Sequence, residues 1–109
     1  MDFQTQRSES NKISVKLEGS LNRSTVPEIR KGLLKFARQG GIKVMAIDLS
    51  QVSNLDTAGI ALMVEVLRVL SSNGGTLRLT GLNRNAVKMI RLSRLDSAFD
   101  MANSSDSGS

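Results

Sequence analysis

Apolar and polar residues alternate strictly over Ile13-Ser14-Val15-Lys16-Leu17-Glu18, the pattern of a strand with one buried face. Gly19 predicts its end, and Ser20 to Arg23 a connection. The period then changes. Val26, Ile29, Leu33, Phe36 and Ala37 recur at helical spacing, and Gly40-Gly41 predicts the stop. Thr25-Val26-Pro27-Glu28 has capping-box spacing, with proline in the first turn, where its missing N–H does no harm. Val44-Met45-Ala46-Ile47-Asp48-Leu49 is a short, nearly continuous apolar run. It predicts a central strand covered on both faces. Ser50 to Leu55 reads as a loop.

A second strand-and-helix unit follows. Asp56 is placed to cap a helix running to about Ser72, which Asn73-Gly74-Gly75 ends. Thr76-Leu77-Arg78-Leu79-Thr80 alternates as a strand, and Gly81-Leu82-Asn83 turns into a third helix, Arg84 to Arg94. A short strand is expected at Ala98 to Met101, and the polar residues 1–12 can add an edge strand. The order β-β-α-β-α-β-α-β implies an α/β fold. Its sheet is four- to five-stranded, mixed and mostly parallel, with three or more helices and right-handed crossovers. Residues 1–101 make the expected domain; the Ser-rich tail 102–109 has nothing to bury and is expected to be disordered.

Composition narrows the chemistry. The 109 residues include no histidine and no cysteine, which removes the commonest general base, the commonest transition-metal ligand and any thiolate. The acidic residues of the folded region, Glu18, Glu28, Asp48, Asp56, Glu65 and Asp96, are scattered. Asp48 and Asp56 flank one loop, but the pattern does not fix where Asp48 points, and a hard cation wants more oxygen ligands. Both glycine pairs end helices instead of opening them, the wrong geometry for a phosphate cradle. No enzyme activity, metal or cofactor is therefore expected. The net charge of +5 comes mainly from two predicted helices, through Arg30, Lys31, Lys35 and Arg38 and through Arg84, Lys88, Arg91 and Arg94. Stacking aromatics are missing from the second group, so nucleic-acid binding is not expected. An acidic protein partner and an anionic membrane surface suit the charge equally. There is no apolar run of about 20 residues and no basic-then-apolar leader, which predicts a cytoplasmic protein.

The segment Val52 to Gly59 joins a buried strand to a helix start, where free backbone N–H groups and a partial positive charge gather. Asp56 can accept one of those N–H bonds, Thr57 would hold a hydroxyl near the surface, and Gly59 removes a side chain from a close approach. On spacing alone, Asp56 can equally be an ordinary cap and Thr57 a tolerated first-turn residue. In the helix that follows, nine of the eleven residues from Ile60 to Leu70 are apolar. Ile60, Met63, Val64, Leu67 and Leu70 share one face, expected to be core. Ala58, Ala61, Leu62, Glu65 and Val69 lie opposite. Apolar residues there mean deep burial or a docking patch; so short a chain has little left to cover that side, which favours docking.

Five motifs, in order along nearly the whole chain, carry a family resemblance. They are Leu17-Glu18-Gly19-Ser20-Leu21, Ile47-Asp48-Leu49-Ser50-Gln51-Val52, Leu55-Asp56-Thr57-Ala58-Gly59-Ile60, Leu79-Thr80-Gly81-Leu82-Asn83 and Leu92-Ser93-Arg94-Leu95-Asp96. Together they resemble the STAS domain of bacterial anti-sigma-factor antagonists and of the cytoplasmic ends of sulfate transporters. The resemblance implies a STAS fold with a protein-partner surface around the helix start: Asn54, Asp56, Thr57, Ala58, Gly59, Leu62 and Val69. Antagonists of the partner-switching type carry a hydroxyl residue, phosphorylated by a kinase, where this chain has Ala58. Thr57, one residue earlier, keeps a hydroxyl and is the remaining candidate for phosphorylation. The Asp-Thr-x-Gly form is similar to the MlaB-like branch, small subunits that bind the ATPase of a phospholipid-transporting ABC complex. Two partners are thus implied: an ABC ATPase subunit, which Ala58 favours, or a kinase-like anti-sigma factor.

Overall fold

The computed structural model describes residues 2–7, 11–39, 41–94 and 100–102. Five strands and three helices follow in the expected order: β1 (Asp2–Arg7), β2 (Lys12–Leu21), α1 (Val26–Arg38), β3 (Val44–Leu55), α2 (Thr57–Ser72), β4 (Thr76–Thr80), α3 (Arg84–Leu92) and β5 (Asp100–Ala102). The strands lie side by side in chain order, β1-β2-β3-β4-β5. β1 pairs antiparallel with β2, and the remaining neighbours are parallel. The last strand begins at Asp100 and reaches Ala102, so Ala102 belongs to the sheet and not to the tail. The rest of the predicted tail, residues 103–109, lies outside the described residues.

Each right-handed crossover steps the chain one place in the same direction, which puts all three helices on one side of the sheet. The register confirms it. Ile13, Met45 and Leu77 align across β2, β3 and β4, as do Val15, Ile47 and Leu79, and all six are fully buried. The intervening rows, Ser14-Ala46-Arg78 and Lys16-Asp48-Thr80, face the other way and stay partly or fully exposed. The expectation that β3 is covered on both faces is therefore corrected. Over Val44–Leu49 its side chains alternate in burial, with Met45, Ile47 and Leu49 pointing into the core. The apolar look of the run came from Val44 and Ala46, half-buried residues on the open face.

The start of α1 also departs from the pattern. Thr25 precedes the helix, but its side chain makes no capping bond. Its hydroxyl donates instead to the Ser20 carbonyl at 2.6 Å and accepts from the Asn22 N–H at 2.9 Å. Asn22 then takes the local capping work, its Oδ1 accepting from the Ser24 and Thr25 N–H groups. The capping box does not form because the hydroxyl is already committed to the end of β2. Beyond that turn, α1 buries Ile29, Leu33, Leu34 and Ala37, with Val26 and Phe36 half-buried beside them.

The largest change concerns residues 50–55. Expected as a loop, they continue β3 for its full length to Leu55 and pair with the end of β2, through Glu18↔Gln51, Gly19↔Val52, Ser20↔Asn54 and Leu21↔Leu55. Two register shifts, between Lys16 and Glu18 and between Gly19 and Ser20, explain why the alternation is lost there. Gly19, with φ +102°, supplies the left-handed backbone of this irregular stretch. Leu49, Val52 and Leu55 consequently point inward at a spacing of three residues. The β3–β4 ladder ends at Asp48↔Thr80, so β2 and β3 run on as a two-stranded ribbon. That ribbon delivers the chain to α2.

Candidate functional site

The ribbon ends in a tight, well-bonded corner. The Asp56 N–H donates to the Leu21 carbonyl at 3.2 Å, tying the first residue after β3 to the last of β2. The Asp56 carboxylate turns onto the helix it precedes, where Oδ1 accepts from the Ala58 N–H at 2.9 Å and from the Gly59 N–H at 3.2 Å. Two orphan donors of α2 are satisfied, and a negative charge sits at the positive end of the helix. Asp56→Ala is expected to cost about 1 kcal/mol of stability, read as a lower urea midpoint at unchanged slope.

Gly59 stands where no side chain fits. A Cβ built on it would lie 2.6 Å from Leu55 Cδ1 and 2.9 Å from both Leu21 Cγ and the Leu21 carbonyl oxygen. The first turn of α2 thus rests directly on the ribbon. With Asp56 turned inward and Gly59 buried, Thr57 is left facing solvent, Ala58 half-exposed beside it, and Asn54 exposed on the preceding strand end. Five of the seven expected partner-surface residues therefore gather at one corner.

The other two do not join them as expected. Leu62 is 2% exposed and lies in the hydrophobic core with Met63, Val66 and Leu70. Val69 is half-buried and packs against that core. Of the two meanings open to the apolar outer side, burial is right for Leu62. The core face of α2 is turned toward Leu62 and Val66, while Val64 and Leu67, expected inside, are only half-buried. With nearly every position apolar, the helix carried too little contrast to fix its own rotation. Tertiary packing fixed it: α2 lies against α1, and Arg30 of α1 makes a two-pronged ion pair with Glu65.

The solvent side of α2 is consequently the row Thr57, Ala61, Val64 and Arg68, spaced four, three and four residues apart. An open groove of about 580 Å³ runs along it, lined by Thr57, Ile60, Ala61, Val64, Glu65, Arg68 and Ser93, the last from the end of α3. Ala61 lies on the outer side where the sequence pattern put it, Val64 was expected in the core, and Arg68 and Ser93 were not expected at the partner surface; stepping i, i+4, i+7 and i+11 from Thr57 finds the three on α2. The Arg30 guanidinium holds the Glu65 carboxyl below its usual range, chiefly by hydrogen bonding. The pair's contribution to stability is complete above the ordinary carboxylate pKa and lost as pH falls through the lowered one. It is small, because both side chains are well exposed to solvent.

The corner offers a hydroxyl, a small residue, an apolar floor and an arginine. That chemistry suits recognition of a protein surface. Among the described residues, no group of three or more acidic side chains is placed to hold a metal.

Comparison with known proteins gives a consistent result. The sequence model of a family described as "Mlab, STAS domain" matches residues 4–101. The chain is 26% identical over 98 residues to the anti-sigma-B factor antagonist of Bacillus subtilis (strain 168), covering 90% of this chain and 88% of that protein. It is 31% identical over 81 residues to the anti-sigma-B factor antagonist of Staphylococcus epidermidis, covering 74% of each. The structure of the anti-sigma factor antagonist SpoIIAA in its unphosphorylated form superposes with a TM-score of 0.78 at 22% identity, over 94% of this chain and 89% of that one.

Proposed function

The chain belongs to the STAS family, and on that premise we propose that it is an anti-sigma-factor antagonist, a cytoplasmic regulator that docks an anti-sigma factor through the start of α2. One observation carries the docking surface. The corner is held rigid from below by Asp56 and Gly59, yet Thr57, Ala61 and Arg68 stand exposed along it. A preorganised, partly apolar row of that kind is what a protein interface needs at its centre. The choice of partner rests on the relatives, which are named for antagonising anti-sigma factors. It reverses the order of preference drawn from Ala58 alone. Among the described residues, no helix is long and apolar enough to cross a membrane.

A second reading stays specific enough to test. Ala58 and the family description "Mlab" both favour an MlaB-like subunit bound to an ABC ATPase. Affinity capture of the intact chain in the organism that encodes it, with mass spectrometry of what is retained, separates the two. An anti-sigma factor is the expected prey; a transporter ATPase in its place would establish the second reading.

Two variants probe the corner itself. Thr57→Glu is expected to weaken partner binding about tenfold or more, since it places a charge in a surface that must lose its water. Thermal stability should hold or rise slightly, because an acid in the first helical turn favours the helix dipole. Unchanged affinity would remove Thr57 from the interface. Ala58→Ser restores the hydroxyl that the family resemblance marks as the phosphate acceptor. With ATP and the captured anti-sigma factor, this variant should take up phosphate at residue 58, where the unaltered chain has no hydroxyl; a variant that stays unphosphorylated at that position would contradict this.

A further inference from the structure

α3 is a separate surface with its own chemistry. Its inner side buries Ala86, Val87 and Ile90, and Asn83 caps its start by accepting from the Ala86 N–H at 2.8 Å. Everything on the outer side is polar or cationic except one residue. Arg84, Lys88 and Arg91 form a row at i, i+4 and i+7, all exposed, and Arg94 follows just past the helix end. No acidic residue occurs between Arg84 and Arg94. Beside Lys88 and Arg91 stands Leu92, 75% exposed, the single large hydrophobic side chain in solvent among the described residues.

We propose that this face of α3 contacts an anionic phospholipid surface, with Leu92 entering the headgroup region and the cations around it meeting lipid phosphates. The inference goes beyond the partner surface on α2 and does not rest on it. Charge complementarity is the first argument: each lysine or arginine near an anionic leaflet strengthens binding about fivefold. Shape is the second. Leu92 protrudes from a convex helix face, and a protein partner would need a matching pocket for it. A fluid lipid surface accepts a protruding apolar side chain anywhere, as interfacial helices with cations beside apolar residues do. The contact is weak and reversible, because α3 offers a single apolar residue.

Co-sedimentation of the full chain with phosphatidylcholine vesicles, with and without phosphatidylglycerol, tests this. The chain should pellet with the anionic vesicles only, and less as salt is raised. Lys88→Glu should lower the affinity about tenfold or more, by removing a cation and adding an anion. Leu92→Ser should lower it about tenfold at an unchanged melting temperature, since its side chain packs on little. The proposal is overturned if the anionic vesicles do not retain the chain, if neutral vesicles retain it equally, or if neither substitution alters binding. Retention on immobilised polyglutamate without any on vesicles would also overturn it, and would assign the face to an acidic protein instead.

Discussion

Leu62→Asp is expected to unfold the domain rather than merely to uncouple it from a partner. Leu62 is 2% exposed, among the largest fully buried side chains of the core. Truncating such a leucine to alanine costs about 2–5 kcal/mol, and a carboxylate left there without a partner adds its own desolvation cost. The sum approaches the whole stability of a small domain, about 5–15 kcal/mol. Circular dichroism should show the cooperative thermal transition lost or moved far down. A normal transition together with lost partner binding would mean that Leu62 faces outward and that α2 is rotated from the position described.

Gly59→Val should damage folding and partner binding together. Its Cβ would meet Leu55 Cδ1 at 2.6 Å and the Leu21 carbonyl at 2.9 Å. A leucine side chain can swing away, but a strand carbonyl that is already bonded to the Asp56 N–H cannot. The start of α2 must then lift off the ribbon, at a cost of about 3 kcal/mol. Affinity measured at a temperature where the variant is still folded should remain below that of the unaltered chain, because Thr57 and Asn54 move with the turn. A variant that melts normally and binds normally would show that the close seat of α2 on the ribbon is wrong.

These two residues mark how far the sequence could be read. Strand and helix order was legible because the period of apolar residues switches clearly between two and three to four. Asp56 and Gly59 were legible because a cap and a close approach each demand a particular residue type. The rotation of α2 was not, since a helix with Leu62, Met63, Val64, Val66, Leu67, Val69 and Leu70 nearly in succession shows no polar face from which to orient it. The long ribbon of β3 was hidden for a different reason. Its bulged pairing with β2 sets Leu49, Val52 and Leu55 three residues apart, a spacing that looks like neither a strand nor a loop with a purpose. The open face of the sheet was missed because half-buried Ala46 and Val44 resemble core residues in one dimension. The expected docking stripe included Leu62, which is buried, whereas Asn54 and Thr57 at the helix start are exposed.

We propose that a protein partner covers the corner of Asn54, Thr57 and Ala58 together with the row Ala61-Val64-Arg68. Backbone amide hydrogen exchange, compared for the chain alone and in complex with its captured anti-sigma factor, tests that most directly. Slowed exchange is expected, concentrated in residues 54–61. Protection confined to β1 and the open face of the sheet, with the start of α2 exchanging as fast as in the free chain, would contradict it.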